Sequence, residues 1–420
     1  MSGRGRRGRW HWSQALGVVL FGVVVIASAA RRASRQGVGT DFHVFWQAGY
    51  DFAHGLPLYQ PLPGARHFNY PPFAAQVFQV LGLFPLKTAA GLFYVASAGL
   101  IIIAVWVSRD IGQRLEPQRP PGARPLALAV LCSAGFMLDN MAHLQVNLLT
   151  FVLTLLGVQA LLSKREFAAG GWLVAATAIK ITPVFFLVWA ALRGSRRSLT
   201  AIFVFAVLCL MLPTIQRGLP QGSEDLTDYY GSFLQAFAAG GVITNYRNQN
   251  LAALVYRTVT PAAAEDVPPY EYAYLPSLAP AAPMIYRVLA LAVLAAFLAH
   301  LVQLRRAGRQ ITALEISSVF LTGHLLSGIT WRAHLVTLLF VFYAFFALDF
   351  SRFGRVGRLA LGLAWAGTVV IGLGRDLTGS RIHHYLAGYS VSVWVMLLLF
   401  TLSVDWSRRL GPLGRAAPSG

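Results

Sequence analysis

GGWLVAATAIKITPVFFLVWAAL, residues 170–192, carries one charge, Lys180, three residues before Pro183. Its two apolar arms, Gly170–Ile179 and Thr182–Leu192, are short against the roughly 17–25 residues that cross a hydrocarbon core. A residue that precedes proline avoids the helical region. The stretch therefore reads as a broken-helix hairpin with Lys180-Ile181-Thr182-Pro183 at its apex. A lysine at membrane depth costs about 2.5–3.5 kcal/mol on insertion scales, so it calls for a partner. Two readings stay open: contact with a lipid phosphate as a point charge, or snorkelling to the head groups.

The rest of the 420 residues agrees with a membrane setting. The chain is 56% hydrophobic and 12% charged. Soluble domains carry about 25% charged residues, so this chain could not cover its own surface with polar groups. Twelve membrane segments are predicted, near 12–30, 86–107, 126–142, 145–162, 167–179, 181–192, 198–213, 284–304, 311–328, 333–350, 356–374 and 386–404. The fold class is an all-α polytopic integral membrane protein, one transmembrane domain over 1–420. Leu16–Ala30 follows Arg4, Arg6, Arg7 and Arg9 and reads as an anchor helix, since Ala29-Ala30-Arg31 is a poor cleavage site. Cys132 and Cys209 lie inside apolar blocks, which indicates neither a disulfide nor a metal site.

The net charge is +19. The basic residues cluster in short connections, as on the cytoplasmic face of a membrane, and no basic soluble domain is available for nucleic acid. With the N-terminus inside, 22 of the 35 Lys and Arg fall in inner loops, including Arg109, Arg114, Arg119, Arg124, Arg305, Arg306, Arg309 and Arg415. Arg31, Arg32 and Arg35 resist this assignment and are placed at the head groups. Two long outer loops result, Arg31–Leu86 and Gln216–Pro283, the second with Glu224, Asp225, Asp228, Glu265, Asp266 and Glu271. Polar residues fit for chemistry are concentrated there, so an active site facing outward from the inner (plasma) membrane is expected.

Within this frame a few residues need explaining. Asp41 stands between Gly37-Val38-Gly39-Thr40 and Phe42-His43-Val44-Phe45-Trp46. It reads as a general base in a half-buried aromatic setting, or as part of an N-cap opening a helix through Ala53. Tyr70-Pro71-Pro72 is a stiff stretch before the chain re-enters the membrane. Gln145 and Asn147 either cap a helix or bind substrate. Trp331, Arg332 and His334 form either an interfacial belt or a site for phosphate or acceptor. His383-His384-Tyr385, in the last outer loop, has no second ligand cluster, so no metal site and no cofactor is expected.

These motifs in their order resemble glycosyltransferase family 87, the polyprenyl-phosphate-mannose-dependent alpha-mannosyltransferases of GT-C type, over roughly residues 37–350. The resemblance rests on Asp41, Gly55-Leu56-Pro57-Leu58-Tyr59, Phe68-Asn69-Tyr70-Pro71-Pro72, Gln145-Val146-Asn147, the block from Ala169 to Pro183, Asn248-Gln249-Asn250-Leu251, and Ser327 through His334. It implies that Asp41 stands at the catalytic aspartate, Lys180 at the family's lysine and His334 at the histidine after its tryptophan; the donor phosphate is expected to meet Lys180, with Arg332 or His334 beside it. Tyr70, Gln145, Asn147, Asn250 and Trp331 are expected to be substrate-binding residues. Two departures stand out: Leu144-Gln145 where the family often has Gly-Gln, and Ser327-Gly328-Ile329-Thr330-Trp331 where it often has Ser-Pro-Ile-Ser-Trp.

The expected reaction is inverting transfer of a sugar, mannose by resemblance, from a polyprenyl-phosphate donor to a hydroxyl of a lipid or glycan acceptor. Membrane lipids are the surrounding partners. One rival is the same fold using a polyprenyl-phosphate arabinose. Another is a transporter or flippase of lipid-linked sugars, which would show inverted repeats and charges on several mid-membrane helices. The sequence has no such repeat.

Overall fold

The structure is a computed structural model that describes residues 12–60, 67–116, 121–235, 242–260 and 274–409. Arg4, Arg6, Arg7, Arg9, Arg119, Glu265, Asp266, Glu271 and Arg415 lie outside the described residues. The described chain is helical: α1 (Trp12–Ala33), α2 (Asp41–Ala53), α3 (Pro72–Gly82), α4 (Leu86–Leu115), α5 (Ala123–His143), α6 (Asn147–Leu162), α7 (Glu166–Ile179), α8 (Val184–Arg193), α9 (Arg196–Arg217), α10 (Leu219–Tyr229), α11 (Leu251–Val259), α12 (Ala282–Arg306), α13 (Ala313–Leu326), α14 (Leu338–Phe346), α15 (Arg355–Gly388) and α16 (Val391–Arg409). A 3-10 turn, Arg332–Thr337, leads into α14.

These helices sort by burial. In α13 every residue from Ala313 to Leu325 is buried, and in α14 every residue from Leu338 to Phe345. A helix apolar all round belongs inside a bundle. The hydroxyls of α13 are absorbed by its own backbone: those of Ser317 and Thr322 donate to the Ala313 and Ser318 carbonyls at 2.8 and 2.7 Å. The long helices lie outside. Six candidate spans, within α4, α5, α9, Pro276–Arg306, α15 and α16, have only 22–39% of their apolar stretch buried. Their outer faces show Ile102, Trp106, Leu131, Leu138, Phe203, Leu210, Leu291 and Leu363 to the surroundings. Apolar residues on the outside of a chain with a packed centre require lipid.

The twelve expected segments are not all recovered as spans. Six helices among the described residues are long and apolar enough to cross a membrane, while five more apolar helices run only 10–17 residues. The short ones include α6, α7, α8 and α13; α13 is buried along its length, while α7 leaves Phe167 and Trp172 exposed.

Other expectations change as well. The 31–86 connection is not an open loop, because α2 and α3 pack tightly within it. A Cβ on Gly49 would lie 2.1 Å from the Phe78 carbonyl oxygen, and one on Gly82 would lie 2.8 Å from the Tyr50 nitrogen. Only glycine lets the two backbones approach so closely. Tyr70-Pro71-Pro72 leads directly into α3, with Pro72 at its first position. His383-His384-Tyr385 lies not in a loop but on the last helical segment of α15, beyond a break at Gly379, where φ is 76°.

Candidate active site

The site is built where α2, the α5–α6 turn, the α7–α8 break and the turn before α14 come together. Thr40 caps α2, its hydroxyl accepting from the His43 N–H at 3.4 Å, so Asp41 opens the helix. The Asp41 carboxylate does not merely cap. Its Oδ2 accepts from Gln145 Nε2 at 2.8 Å, across 104 residues of sequence. Gln145 is delivered by a tight turn at the end of α5, where Leu144 takes a left-handed conformation, φ 50° and ψ 46°. That conformation costs a non-glycine residue about 1–2 kcal/mol. It accounts for the glycine that the family resemblance leads one to expect at 144. Leu144 is wholly buried, which offsets the strain.

Lys180 is the hub of the second half. α7 ends at Ile179 and α8 starts at Val184, and Lys180 between them is extended, φ −151° and ψ 125°. Its Nζ donates to Asn147 Oδ1 at 2.6 Å and lies 3.2 Å from His334 Nε2 and 5.8 Å from the centroid of the Tyr70 ring. An ammonium carries only donors, so His334 Nε2 must be the acceptor and the ring proton sits on Nδ1. His334 Nδ1 then donates to the Ile329 carbonyl at 3.0 Å, which leaves the Trp331 N–H, 3.3 Å from the same nitrogen, as a contact rather than a hydrogen bond. Asn147 is fixed the same way: Oδ1 faces the lysine, and Nδ2 donates to the Ala333 carbonyl at 3.2 Å. Asp41 lies close enough for its charge to act on both Lys180 and Tyr70. Burial first, and the Asp41 charge second, push the Tyr70 phenol above its ordinary range. Tyr70 is held by the Tyr59 hydroxyl, which donates to its carbonyl at 2.8 Å, and by Phe45, edge-on at 5.1 Å.

Not every expected residue joins this cluster. Arg332 points the other way: its guanidinium donates to the Gly372 carbonyl at 3.2 Å and lies 5.2 Å from the Phe136 ring centroid. Trp331 stacks parallel to His334, 6.5 Å between centroids, so it shapes the wall of the site. Asn250 is fully buried, and its side chain is spent on backbone. Nδ2 donates to the Ser327 and Gly328 carbonyls at 2.6 and 2.8 Å, and Oδ1 caps α11 at Ala253 N, 2.7 Å away. Asn248 joins it: Oδ1 accepts from Thr330 N at 2.8 Å. The Asn248-Gln249-Asn250 motif thus clamps residues 327–330, the approach to His334, rather than facing a ligand.

Some contributors were not visible in the sequence. Asn140 is wholly buried, and its Nδ2 also donates to the Ala333 carbonyl, at 3.3 Å. Arg217 pairs with Asp225 at 2.6 Å and donates to the Phe52 and Leu56 carbonyls, tying the end of α2 to α10. His324, on α13, is buried with Nε2 2.5 Å from Thr337 Oγ1. An Asn just before a helix end, or a His inside an apolar helix, gives no periodic signal that separates it from ordinary core.

Beside the hub lies a small pocket, lined at one end by Asn147, Lys180 and His334 and at the other by Phe151, Phe186 and Phe320. A carboxylate, an ammonium with its imidazole, and an amphipathic cavity are thus adjacent. That combination suits abstraction of a proton beside a bound anion. Among the described residues no three His, Cys, Asp or Glu side chains converge as metal ligands.

Known proteins are similar to this chain. A relative from Mycobacterium tuberculosis (strain CDC 1551 / Oshkosh), a polyprenol-phosphate-mannose-dependent alpha-(1-2)-phosphatidylinositol pentamannoside mannosyltransferase, is 26% identical over 326 residues, 77% of this chain and 67% of that protein. A second, from strain ATCC 25618 / H37Rv, is a polyprenol-phosphate-mannose-dependent alpha-(1-2)-phosphatidylinositol mannoside mannosyltransferase. It is 27% identical over 272 residues, 60% of this chain and 61% of its own length. The family profile covers residues 68–328, which takes in Tyr70, Gln145, Asn147, Lys180 and Asn250 but stops short of Asp41 and His334. It spans more than half of the sequence, and the chain belongs to Glycosyltransferase family 87.

Proposed function

We propose that this membrane glycosyltransferase transfers mannose, with inversion, from a polyprenyl phosphate to a hydroxyl of a lipid or glycan acceptor on the outer face of the membrane. The observation that carries the reading is the meeting of Asp41, held by Gln145, with Lys180, held by Asn147 and His334. Asp41 takes the proton from the acceptor hydroxyl, whose oxygen attacks the anomeric carbon. The bond from that carbon to the phosphate oxygen breaks, and the lipid phosphate leaves with its negative charge met by Lys180. His334 accepts from Lys180 and so aims the ammonium, while Tyr70 and Trp331 supply ring faces at the edge of the site. General base catalysis contributes about 10²–10⁴-fold, and charge stabilisation of the departing phosphate a comparable factor.

The twelve-segment topology belongs to the same proposal. α7 and α8 together occupy the depth of one broken span, and the 31–86 and 216–283 connections lie outside. A lipid-linked donor is the sugar source suited to that face, since nucleotide sugars are cytoplasmic. The relatives' names support mannose and a polyprenol-phosphate donor. The test uses purified protein in detergent with radiolabelled polyprenyl-phosphate mannose and a membrane lipid extract. Label should pass into a lipid product. Transfer from polyprenyl-phosphate arabinose but not from the mannose donor would overturn the sugar assignment.

A further inference from the structure

His324 has no part in the reading above, yet its ring is 3% exposed and lines the cavity beside Lys180. Its Nδ1 is buried and has no partner among the described residues. Leaving a buried polar nitrogen unpaired costs about 1–3 kcal/mol, so such an atom asks for a ligand or a reason.

The proton on the ring can be assigned. Thr337 Oγ1 lies 2.5 Å from His324 Nε2. The other acceptor within reach of Thr337 by helical geometry is the carbonyl four residues back, that of Ala333. That carbonyl already accepts from both Asn140 and Asn147, at 3.3 and 3.2 Å. Assigning the threonine proton to Nε2 places the ring hydrogen on Nδ1. His324 is also anchored through its own backbone, whose carbonyl accepts from Thr330 Oγ1 at 2.9 Å.

Two donors on the residues that line the pocket thus lack an acceptor among the described residues. One is the Nδ1–H of His324. The other is the third proton of Lys180, whose first two go to Asn147 and His334. Two donors and no facing carboxylate among the lining residues demand an oxygen-rich, anionic occupant. The far wall, Phe151, Phe186, Val319 and Phe320, demands an apolar one.

We propose that His324 is a further donor-binding residue: its Nδ1–H and the Lys180 ammonium together hold the phosphate of a polyprenyl phosphate, whose first isoprene units lie against Phe151, Phe186 and Phe320. This rests on the donor reading given under the proposed function.

The test is binding to the full-length protein in detergent, followed by thermal stabilisation with farnesyl phosphate, farnesol or inorganic phosphate. Three variants separate the roles. His324→Leu removes the donor. His324→Asn keeps an N–H near the place of Nδ1. Lys180→Met removes the ammonium. His324→Leu should weaken farnesyl phosphate about ten-fold or more, as expected for a hydrogen bond to a charged group. His324→Asn should stay within about three-fold of wild type, and farnesol should bind all three proteins alike. Wild-type affinity for farnesyl phosphate in His324→Leu would overturn the role of His324 alone. Equal losses for farnesol and farnesyl phosphate would reduce it to packing. Preference for farnesyl phosphate over farnesol that survives both His324→Leu and Lys180→Met would overturn the donor reading itself. Inorganic phosphate that stabilises as well as farnesyl phosphate would make this a free-anion site and overturn the lipid assignment.

Discussion

Replacing Asn147 by leucine, close to it in size, removes both ends of a bridge. Oδ1 is lost to Lys180, at 2.6 Å, and Nδ2 is lost to the Ala333 carbonyl, at 3.2 Å. The two losses differ in weight. A hydrogen bond to a charged group contributes about 1.5–3 kcal/mol, a neutral one about 0.5–1.5. The Ala333 carbonyl keeps a second donor in Asn140, at 3.3 Å, so its loss is largely offset. Asn147→Leu should therefore destabilise the protein by about 1.5–3 kcal/mol, nearly all of it through Lys180. The same shift loosens the ammonium from its aim, and the donor KM should rise about ten-fold or more. Asn140→Leu alone should cost less, because Asn147 still serves Ala333. The double variant should cost more than the two together, by about 0.5 kcal/mol or more, since the carbonyl is then buried with no donor. The assay is thermal unfolding of the four proteins in one detergent, beside donor KM values. A single Asn147→Leu with wild-type melting and donor KM would refute the bridge. Strict additivity with Asn140→Leu would refute the shared carbonyl.

Asp51 offers a control on the carboxylate assignment. Burial, opposed by the Gln47 hydrogen bond and the Arg217 charge, raises its proton affinity in the folded protein. A group with a raised folded value favours the fold when protonated, and that advantage is lost as pH rises through the folded value. Asp51→Asn should thus retain turnover and melt at or above wild type at neutral pH, the difference fading in acid; a melting point that falls at neutral pH would contradict this. Glu315 accepts from Arg193 and Trp189, both at 2.8 Å, with all three side chains buried. Glu315→Gln leaves Arg193 buried without its counter-charge and should lower stability by about 3–5 kcal/mol in chemical unfolding, and a loss under 1 kcal/mol would show the pair to be dispensable. Cysteines placed at Ser34 and Ser223 should react with an impermeant thiol reagent in intact cells, and labelling only at Ser195 and Ser351 would invert the orientation.

What the sequence disclosed was local. Thr40 before an aromatic run marks the start of α2, and Pro183 marks the break that frees Lys180, because caps and prolines act over a few residues. The partners of those residues lie far off in sequence: Gln145 is 104 residues from Asp41, and His334 is 154 from Lys180. No helical period encodes such meetings. Arg332 and Asn250 show the converse. Both are polar residues near the motif, and both turn their side chains onto backbone carbonyls instead of the cavity. The length of the spans was not legible for a related reason. Apolar runs such as 313–326 look like lipid-facing helices, but their hydrophobicity is spent against other helices of the bundle.

The most direct test of the account is the turnover of Asp41→Asn, measured with saturating polyprenyl-phosphate mannose and lipid acceptor. Asparagine preserves the size of the side chain and a contact with Gln145 but does not take a proton at neutral pH. The account expects turnover to fall by about 10²–10⁴-fold, with melting temperature and farnesyl phosphate binding close to wild type. Turnover within a few-fold of wild type would contradict it and move the base away from Asp41.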